Sequence, residues 1–481
     1  MKQPVKMTLG LLLLGVMTAT LAGCGNKGTK DDGITKIVFG HTFGDKIETA
    51  VNKQITKFVK LVKDNEGIDV EIELQYLGGY NDVSTKVTTY FNDGTCPTMT
   101  IAYPDTVADF IKGFGTKYVV NFEDYMDNAE YGFGTDKYLG DTQKKDDIVE
   151  AFLKEGQQFT EKGTYVMPFM KSSEIMLYNV ELATKAMEIY DPSVVAAGKV
   201  AETIASYTWD QLMALAKVAY DNRATIGPSI NYPVMYDSDS NLFITQMYQE
   251  GYGYSSIQDG KGHIDFDDNG TNYAGAKALL QEYKNLSDQH IFTTKGNEGT
   301  YSSDSFKNGE SIFIIGSSGG AGYSFPDAGS FTTEICQVPA RNNRPYYISQ
   351  GPSIAFLRNP YFADSKNDRT IKYAWKFLKY ILSKENNAVL CVNGSEGYVP
   401  VRTSSYSTET YLEFMESDTN YSKAAKVLTD DINGKYITSA VFPGSATLRT
   451  QVGGAVTAVL KGTAIDKALT DAINNTKTYM G

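Results

Sequence analysis

Histidine, tryptophan and cysteine are almost missing from this chain, which holds three, two and four of them among 481 residues. His41, His263 and His290 stand far apart and no C-x-x-C pair occurs, so a structural zinc site lacks its ligands. Beyond Cys24 only Cys96, Cys336 and Cys391 remain, widely spaced and odd in number, and no disulfide framework is indicated. The glycine-rich patterns G-x-x-x-x-G-K-S/T and G-x-G-x-x-G are both absent, which excludes the nucleotide sites they build. Positive charge is also in deficit: 45 Lys and Arg against 57 Asp and Glu give a net charge of −12. That balance opposes nucleic acid and anionic bilayers as general partners. No later segment is apolar enough to span a membrane, and no cofactor motif is present.

What is there begins at the N-terminus. Lys2 and Lys6 give a positive start, Leu9 to Leu21 is an apolar run, and Leu21-Ala22-Gly23-Cys24 closes it with small residues. This is the order of a secretory signal, with an apolar run shorter than the ~20 residues that span a bilayer. Leu-Ala-Gly-Cys resembles the bacterial lipobox, so the expectation is cleavage before Cys24, acylation of its thiol and anchoring to the outer face of the cell membrane. The following GNKGTKDD is small, polar and charged, and reads as a flexible tether.

About 450 residues follow, more than one hydrophobic core usually serves, so two lobes are expected. Ile34 to Phe43 reads as a buried strand, and Val51, Ile55, Phe58, Val59 and Val62 recur at helical spacing. Val70 to Tyr76 is a second strand, Val83 to Phe91 a second helix and Met99 to Tyr103 a third strand. The order β-α-β-α-β predicts a parallel sheet covered by helices. Tyr165 to Met170 and Ile175 to Asn179 read as extended segments separated by a polar stretch, as a chain crossing between lobes would be. Thr208 and Gln211 form a capping box at a helix start. Helices are also expected over Ala274 to Leu286 and Ile371 to Leu382, with Trp209 and Trp375 in the core. Ile312 to Ile315 is a buried strand running into GSSGGAG, and Ser353 to Leu357 is another after Gln350-Gly351-Pro352. Asp141 to Asp147 and Asn359 to Arg369 read as surface loops.

Two motifs invite chemistry. Gly316 to Gly320 fits the G-x-S-x-G nucleophile elbow, but every histidine precedes Ser318, which excludes the hydrolase order of the triad. The same Gly/Ser loop at a strand end exposes N–H groups and hydroxyls that suit a polar ligand. Asp265 to Gly270 opens like an EF-hand loop, yet the position of its bidentate carboxylate is Ala276, so a turn into the next helix is the better reading. Asp105 and Glu174 are the acid/base candidates if the protein is a surface glycoside hydrolase.

Seven pieces in one order carry a resemblance: HTFGDK at His41, GGYNDVSTKV at Gly78, CPTMTIAYPDTVADF at Cys96, MPFMKSSEIMLYN at Met167, TWDQL at Thr208, FKNGESIFIIGSSGGAG at Phe306 and GYVPVR at Gly397. Together they resemble the extracellular solute-binding proteins that deliver sugars to ABC importers, of the maltose- and glycerol-phosphate-binding type. The resemblance implies an α/β, two-lobed periplasmic-binding-protein-like fold with a ligand cleft between lobes joined by a hinge, no enzyme activity and no cofactor. Its divisions would be a signal at 1–23, a tether at 24–33, lobe one at 34–168 and 341–415, and lobe two at 169–340 and 416–481. Crossovers are expected near Pro168 to Lys171 and Pro339 to Ser349.

In the maltose-binding members the segment matching Phe43-Gly44-Asp45-Lys46 contacts sugar hydroxyls, which puts Phe43, Asp45 and Lys46 in the site. Tyr103 and Asp105 fall on a matching aromatic and acid. Ser172 stands where those members have a carboxylate, and Ser318 where they have a stacking tryptophan. The Ser317-Ser318-Gly319 loop and Arg449 are similar to the glycerol-phosphate branch instead. Tyr80, Tyr103, Tyr236, Tyr323 and Tyr398 are candidate sugar platforms among 33 tyrosines. The expected partners are a small-molecule ligand, probed as oligosaccharide or phosphoester, and the permease subunits of an importer, met by a monomer held at the membrane through Cys24.

Overall fold

A computed structural model describes residues 33–395 and 397–480 of the chain. The signal, Cys24 and most of the tether lie outside the described residues. Among the described residues, no helix is long and apolar enough to cross a membrane.

The first lobe grows from alternating apolar segments. Strand β1 (Thr35–His41) leads into helix α1 (Asp45–Glu66), which buries Val51, Ile55, Phe58 and Val62 on one face and ends at Gly67 in the left-handed conformation. Strand β2 (Val70–Tyr76), helix α2 (Tyr80–Asp93), strand β3 (Met99–Ala102) and helix α3 (Pro104–Phe114) follow. Proline at the first position of α3 has no N–H to leave unpaired, so the turn after β3 starts a helix there. Strands β1, β2 and β3 pair in parallel, as the β-α-β order predicts.

The remaining strands are β4 (Met167–Pro168), β5 (Glu174–Asn179), β6 (Val234–Tyr236), the hairpin of β7 (Ser255–Gln258) and β8 (Lys261–Ile264), β9 (Phe292–Thr294), β10 (Phe313–Ser317), β11 (Thr333–Gln337), β12 (Tyr347–Ile348), β13 (Ser353–Phe356) and β14 (Tyr436–Ile437). Among the described residues the strands form two five-stranded sheets and two two-stranded ones, β7-β8 and β12-β14. Of the larger two, one has the order β2-β1-β3-β13-β4 and the other β11-β5-β10-β6-β9. The fold is therefore the expected two-lobed α/β architecture with helices around each sheet.

Backbone exchange ties the crossing segments together. The chain leaves the first sheet after β4 and enters the second at β5, while β11 in the second sheet precedes β13 in the first. Between them Lys171 exchanges hydrogen bonds with Val399 (3.1 and 2.7 Å), and Ser172 with Gln350 (2.9 Å both ways). Lys171 is wholly buried and forms an ion pair with Glu155. Desolvating both charges costs several kcal/mol per ion and is offset only by good geometry, so this pair fixes which carboxylate faces the crossover.

The helix over residues 209–221 starts as its capping box predicts, with Gln211 Oε1 accepting from Thr208 N at 2.9 Å. Trp209 and Trp375 are both fully buried; their indole N–H groups donate to Glu282 and to the Tyr131 carbonyl. Two expected surface loops are corrected in part: residues 142–147 do run as an irregular, exposed or half-exposed stretch, and 359–363 as a turn. Asp141 is buried, 3.1 Å from Lys379 Nζ, because a cluster with Asp136, Lys376 and Glu66 draws the 127–147 segment onto helix Asp364–Ile381. The second stretch, 359–369, is helical from Asp364, and Asn367 turns inward to bond the backbone of Asn359. Both stretches read as loops because charge and Asn content signal solvent until a buried partner is known. The turn at 265–270 runs as expected into helix Thr271–Asp288, its Asp265 bonded to Ser256 and His263.

Candidate functional site

Sheet direction decides where the cleft lies. Parallel strands β1, β2 and β3 release the chain at one edge, delivering Thr42 to Lys46, Tyr80 and Tyr103. In the second sheet β6, β9 and β10 run together and end at Tyr236, Thr294 and Ser317, while antiparallel β5 begins at that same edge with Glu174 opposite Ser317. The carboxyl ends of α/β sheets are where ligands bind. Here residues from both edges line two adjoining cavities of about 730 and 630 Å³ that share Tyr80, Gly320 and Tyr323.

The larger cavity is floored by a linked polar group. Glu174 accepts from Tyr236 OH and, at 2.9 Å, from Asn241 Nδ2; Asn241 in turn accepts from Arg449. Asn241 sits in the first turn of helix Asp239–Glu250, whose N-cap Ser238 accepts from its backbone N–H. Burial pushes the Glu174 carboxyl up to about 7, against the opposing pull of the Tyr236 and Asn241 hydrogen bonds and of Arg449. Burial likewise raises Asp105 and Glu155, with Arg449 pulling Asp105 down and Lys171 pulling Glu155 down. Asp237 is raised by burial too; it accepts from Ser302 N at 2.8 Å and faces Lys295. Lys295 Nζ lies 3.4 Å from the centre of the Tyr301 ring.

Aromatic surface comes mainly from the first lobe. Tyr80 and Tyr103 lie with ring centres 4.6 Å apart, and the Tyr80 hydroxyl bonds those of Thr42 and Tyr398. The smaller cavity is lined by Phe43, Asp45, Lys46, Tyr398 and Tyr421. Glycines of the GSSGGAG turn allow close approach. A Cβ at Gly319 would stand 2.7 Å from the Tyr398 ring, and one at Gly397, where φ is +154°, would overlap the Ser318 carbonyl. The Gly/Ser turn is thus packed against Gly397-Tyr398 as well as open to the cleft.

Of the residues singled out from sequence, the structure brings Phe43, Asp45, Lys46, Tyr80, Tyr103, Ser317, Gly319, Tyr323, Tyr398 and Arg449 onto the two cavities. Asp105 lines a small chamber adjoining them. Three others are placed behind the surface. Tyr236 is buried beneath Glu174, Ser172 lies within the crossing segment with its Oγ 3.4 Å from Ser317 Oγ, and Ser318 is fully buried. Sequence reasoning missed Asn241, Glu155, Asp237, Lys295 and Gln350. Gln350 carried a faint signal from the Gly-Pro after it; the others are polar residues at helix and strand ends that only tertiary pairing distinguishes. Cys96, Cys336 and Cys391 are buried and make no disulfide, and burial raises the Cys96 thiol to about 12.

Comparison with known proteins agrees with this geometry. The family model for bacterial extracellular solute-binding proteins matches residues 53–420. No curated protein sequence matches the chain. Among solved structures, the cyclic alpha-maltosyl-1,6-maltose binding protein from Arthrobacter globiformis is similar over 93% of this chain and 99% of its own, at 17% identity and a TM-score of 0.67. UgpB from Mycobacterium tuberculosis, solved with glycerophosphocholine, is similar over 92% of this chain and 98% of its own, at 14% identity and a TM-score of 0.67. The GacH receptor of Streptomyces glaucescens, solved unliganded and with acarbose, is similar over 92% and 97%, at 17% identity and a TM-score of 0.64.

Proposed function

Because the chain belongs to the bacterial extracellular solute-binding proteins, we propose that it is the lipid-anchored receptor of an ABC importer and that its cleft takes a neutral oligosaccharide. The family is one of receptors rather than catalysts, which sets aside the hydrolase alternative. In keeping with that, Glu174 is engaged by Tyr236 and Asn241 and wrapped by the protein.

The pairing of charge in the cleft carries the reading. Arg449 faces Asp105 and donates to Asn241, Lys171 is bonded to Glu155, and Lys295 faces Asp237. A phosphoester entering the larger cavity meets cations already matched by carboxylates, and a desolvated like charge is strongly disfavoured. A neutral polyol meets paired acceptors and donors beside the Tyr80 and Tyr103 rings, the combination of polar groups and apolar faces that small-molecule sites use. Two adjoining cavities of 730 and 630 Å³ suit more than one ring. The phosphoester reading draws on Arg449 and on the likeness to UgpB, and is the runner-up.

The same proposal divides the body into lobe one at 34–168 with 341–415 and lobe two at 169–340 with 416–481, closing on the ligand as a population shift. Cys24 would hold the monomer at the outer face while the tether leaves the lobes free to move. Calorimetry of the full chain against glucose, maltose, maltotriose, their xylose-based counterparts and glycerophosphocholine tests the ligand class. One-to-one binding of a sugar without turnover is expected, and binding of glycerophosphocholine alone would overturn the neutral-sugar assignment.

A further inference from the structure

Behind the cleft floor lies a smaller chamber of about 70 Å³, joined to the 730 Å³ cavity through Tyr103, Gln350 and Arg449, which line both. Roughly 10–15 Å³ of such space admits one water, so the chamber takes a group of a few heavy atoms and no sugar ring. Its walls come from both lobes and from the crossing segment: Asp105, Glu155, Tyr254, Ser349, Gln350 and Arg449.

Three of its polar atoms lack a hydrogen-bond partner within the protein: Tyr254 OH, Ser349 Oγ and Gln350 Oε1. Tyr254 is 2% exposed and Ser349 8%. A buried polar atom left unmade costs free energy, so this arrangement is built for an occupant. The occupant's chemistry follows from the donors and acceptors. Gln350 Oε1, Asp105 and Glu155, which is ion-paired with Lys171, accept, Arg449 only donates, and the two hydroxyls do either. An anion would face Asp105 and Glu155, and an ammonium would face Arg449 with Lys171 behind Glu155. A hydroxyl, which both donates and accepts and carries no charge, matches the set.

We propose that this chamber is an end subsite that takes the exocyclic hydroxymethyl group of a hexose, so that it fixes which end of the sugar enters and rejects a phosphorylated terminus. The inference rests on the neutral-sugar reading above. Its test uses the same calorimetric series, with 6-deoxyglucose added, on the full chain and on Tyr254→Phe and Ser349→Ala. The wild-type protein should prefer glucose-based to xylose-based sugars of equal length. Tyr254→Phe should weaken glucose-based binding about 5- to 10-fold, as for one hydrogen bond. It should leave xylose-based and 6-deoxyglucose binding unchanged and keep or raise the unfolding midpoint, because an orphan hydroxyl has been removed. Equal losses on both series, or none on either, would overturn the subsite while leaving the sugar reading in place. If glycerophosphocholine binds and none of the sugars does, the sugar reading itself falls, and the subsite with it.

Discussion

Replacing Glu174 by Gln should make the protein more stable at neutral pH and leave it no more stable in acid. The folded carboxyl titrates at about 7 rather than 4.5, and the leading cause is burial. A raised carboxylate pKa means that the folded state holds its proton longer than the unfolded chain does. Below pH 4.5 both states are protonated and the shift contributes nothing. Between 4.5 and 7 the unfolded chain ionises first, so stability falls as pH rises. Above about 7 the full penalty applies, roughly 3 kcal/mol at 1.36 kcal/mol per unit. Gln cannot ionise, but it turns an N–H₂ toward Tyr236 or Asn241, both donors to Glu174, which costs about 1 kcal/mol. The net expectation is a gain of about 2 kcal/mol at pH 8 and a loss of about 1 kcal/mol at pH 4. Urea unfolding of both proteins across that range measures it; the Asp237 charge, which helps to raise Glu174, is relieved in the variant and adds to the gain at high pH. A difference independent of pH would refute the assignment of a neutral buried carboxyl.

Lys171→Met should cost about 3–5 kcal/mol by leaving Glu155 buried without its partner, and Lys171→Met with Glu155→Leu should recover much of that in thermal unfolding. Gly397→Ala forces a Cβ into the Ser318 carbonyl and should destabilise by about 1–3 kcal/mol; an unchanged urea midpoint would show that the two segments do not pack. Asp105→Ala should weaken sugar binding while far-UV circular dichroism stays native, and full affinity would remove Asp105 from the site. Cys24→Ala should release the protein from membranes in fractionated cells with ligand affinity intact, and a variant that stays membrane-bound would argue against the anchor.

The first β-α-β-α-β run was legible because each segment there is long and periodic. The capping box at Thr208 was equally plain, since it satisfies helix-end donors within four residues. Asp105 could be named from its place near a strand end, Tyr103 and Asp105 from the aromatic and acid they match in the resembled family, and Tyr80 as a tyrosine able to serve as a sugar platform. Ser172, Ser318 and Tyr236 show the limit of that logic: they also lie near strand ends, yet packing buries all three behind the surface. Asp141 and Asn367 looked solvated because nothing local reveals Lys379 or the Asn359 backbone.

The chain by itself carries the pattern read as an export signal, its lack of zinc and nucleotide motifs, the alternation that builds parallel sheets, and the order of segments by which it resembles a family. Those depend on local periodicity and spacing, which are written residue by residue. Tertiary structure decided which charges meet. Arg449 reaches Asn241 across 208 positions, and Glu155 finds Lys171 beside a strand crossing that no local pattern marks. Ligand class follows from that pairing, because desolvated charges are set by their neighbours in space and not by their neighbours in sequence.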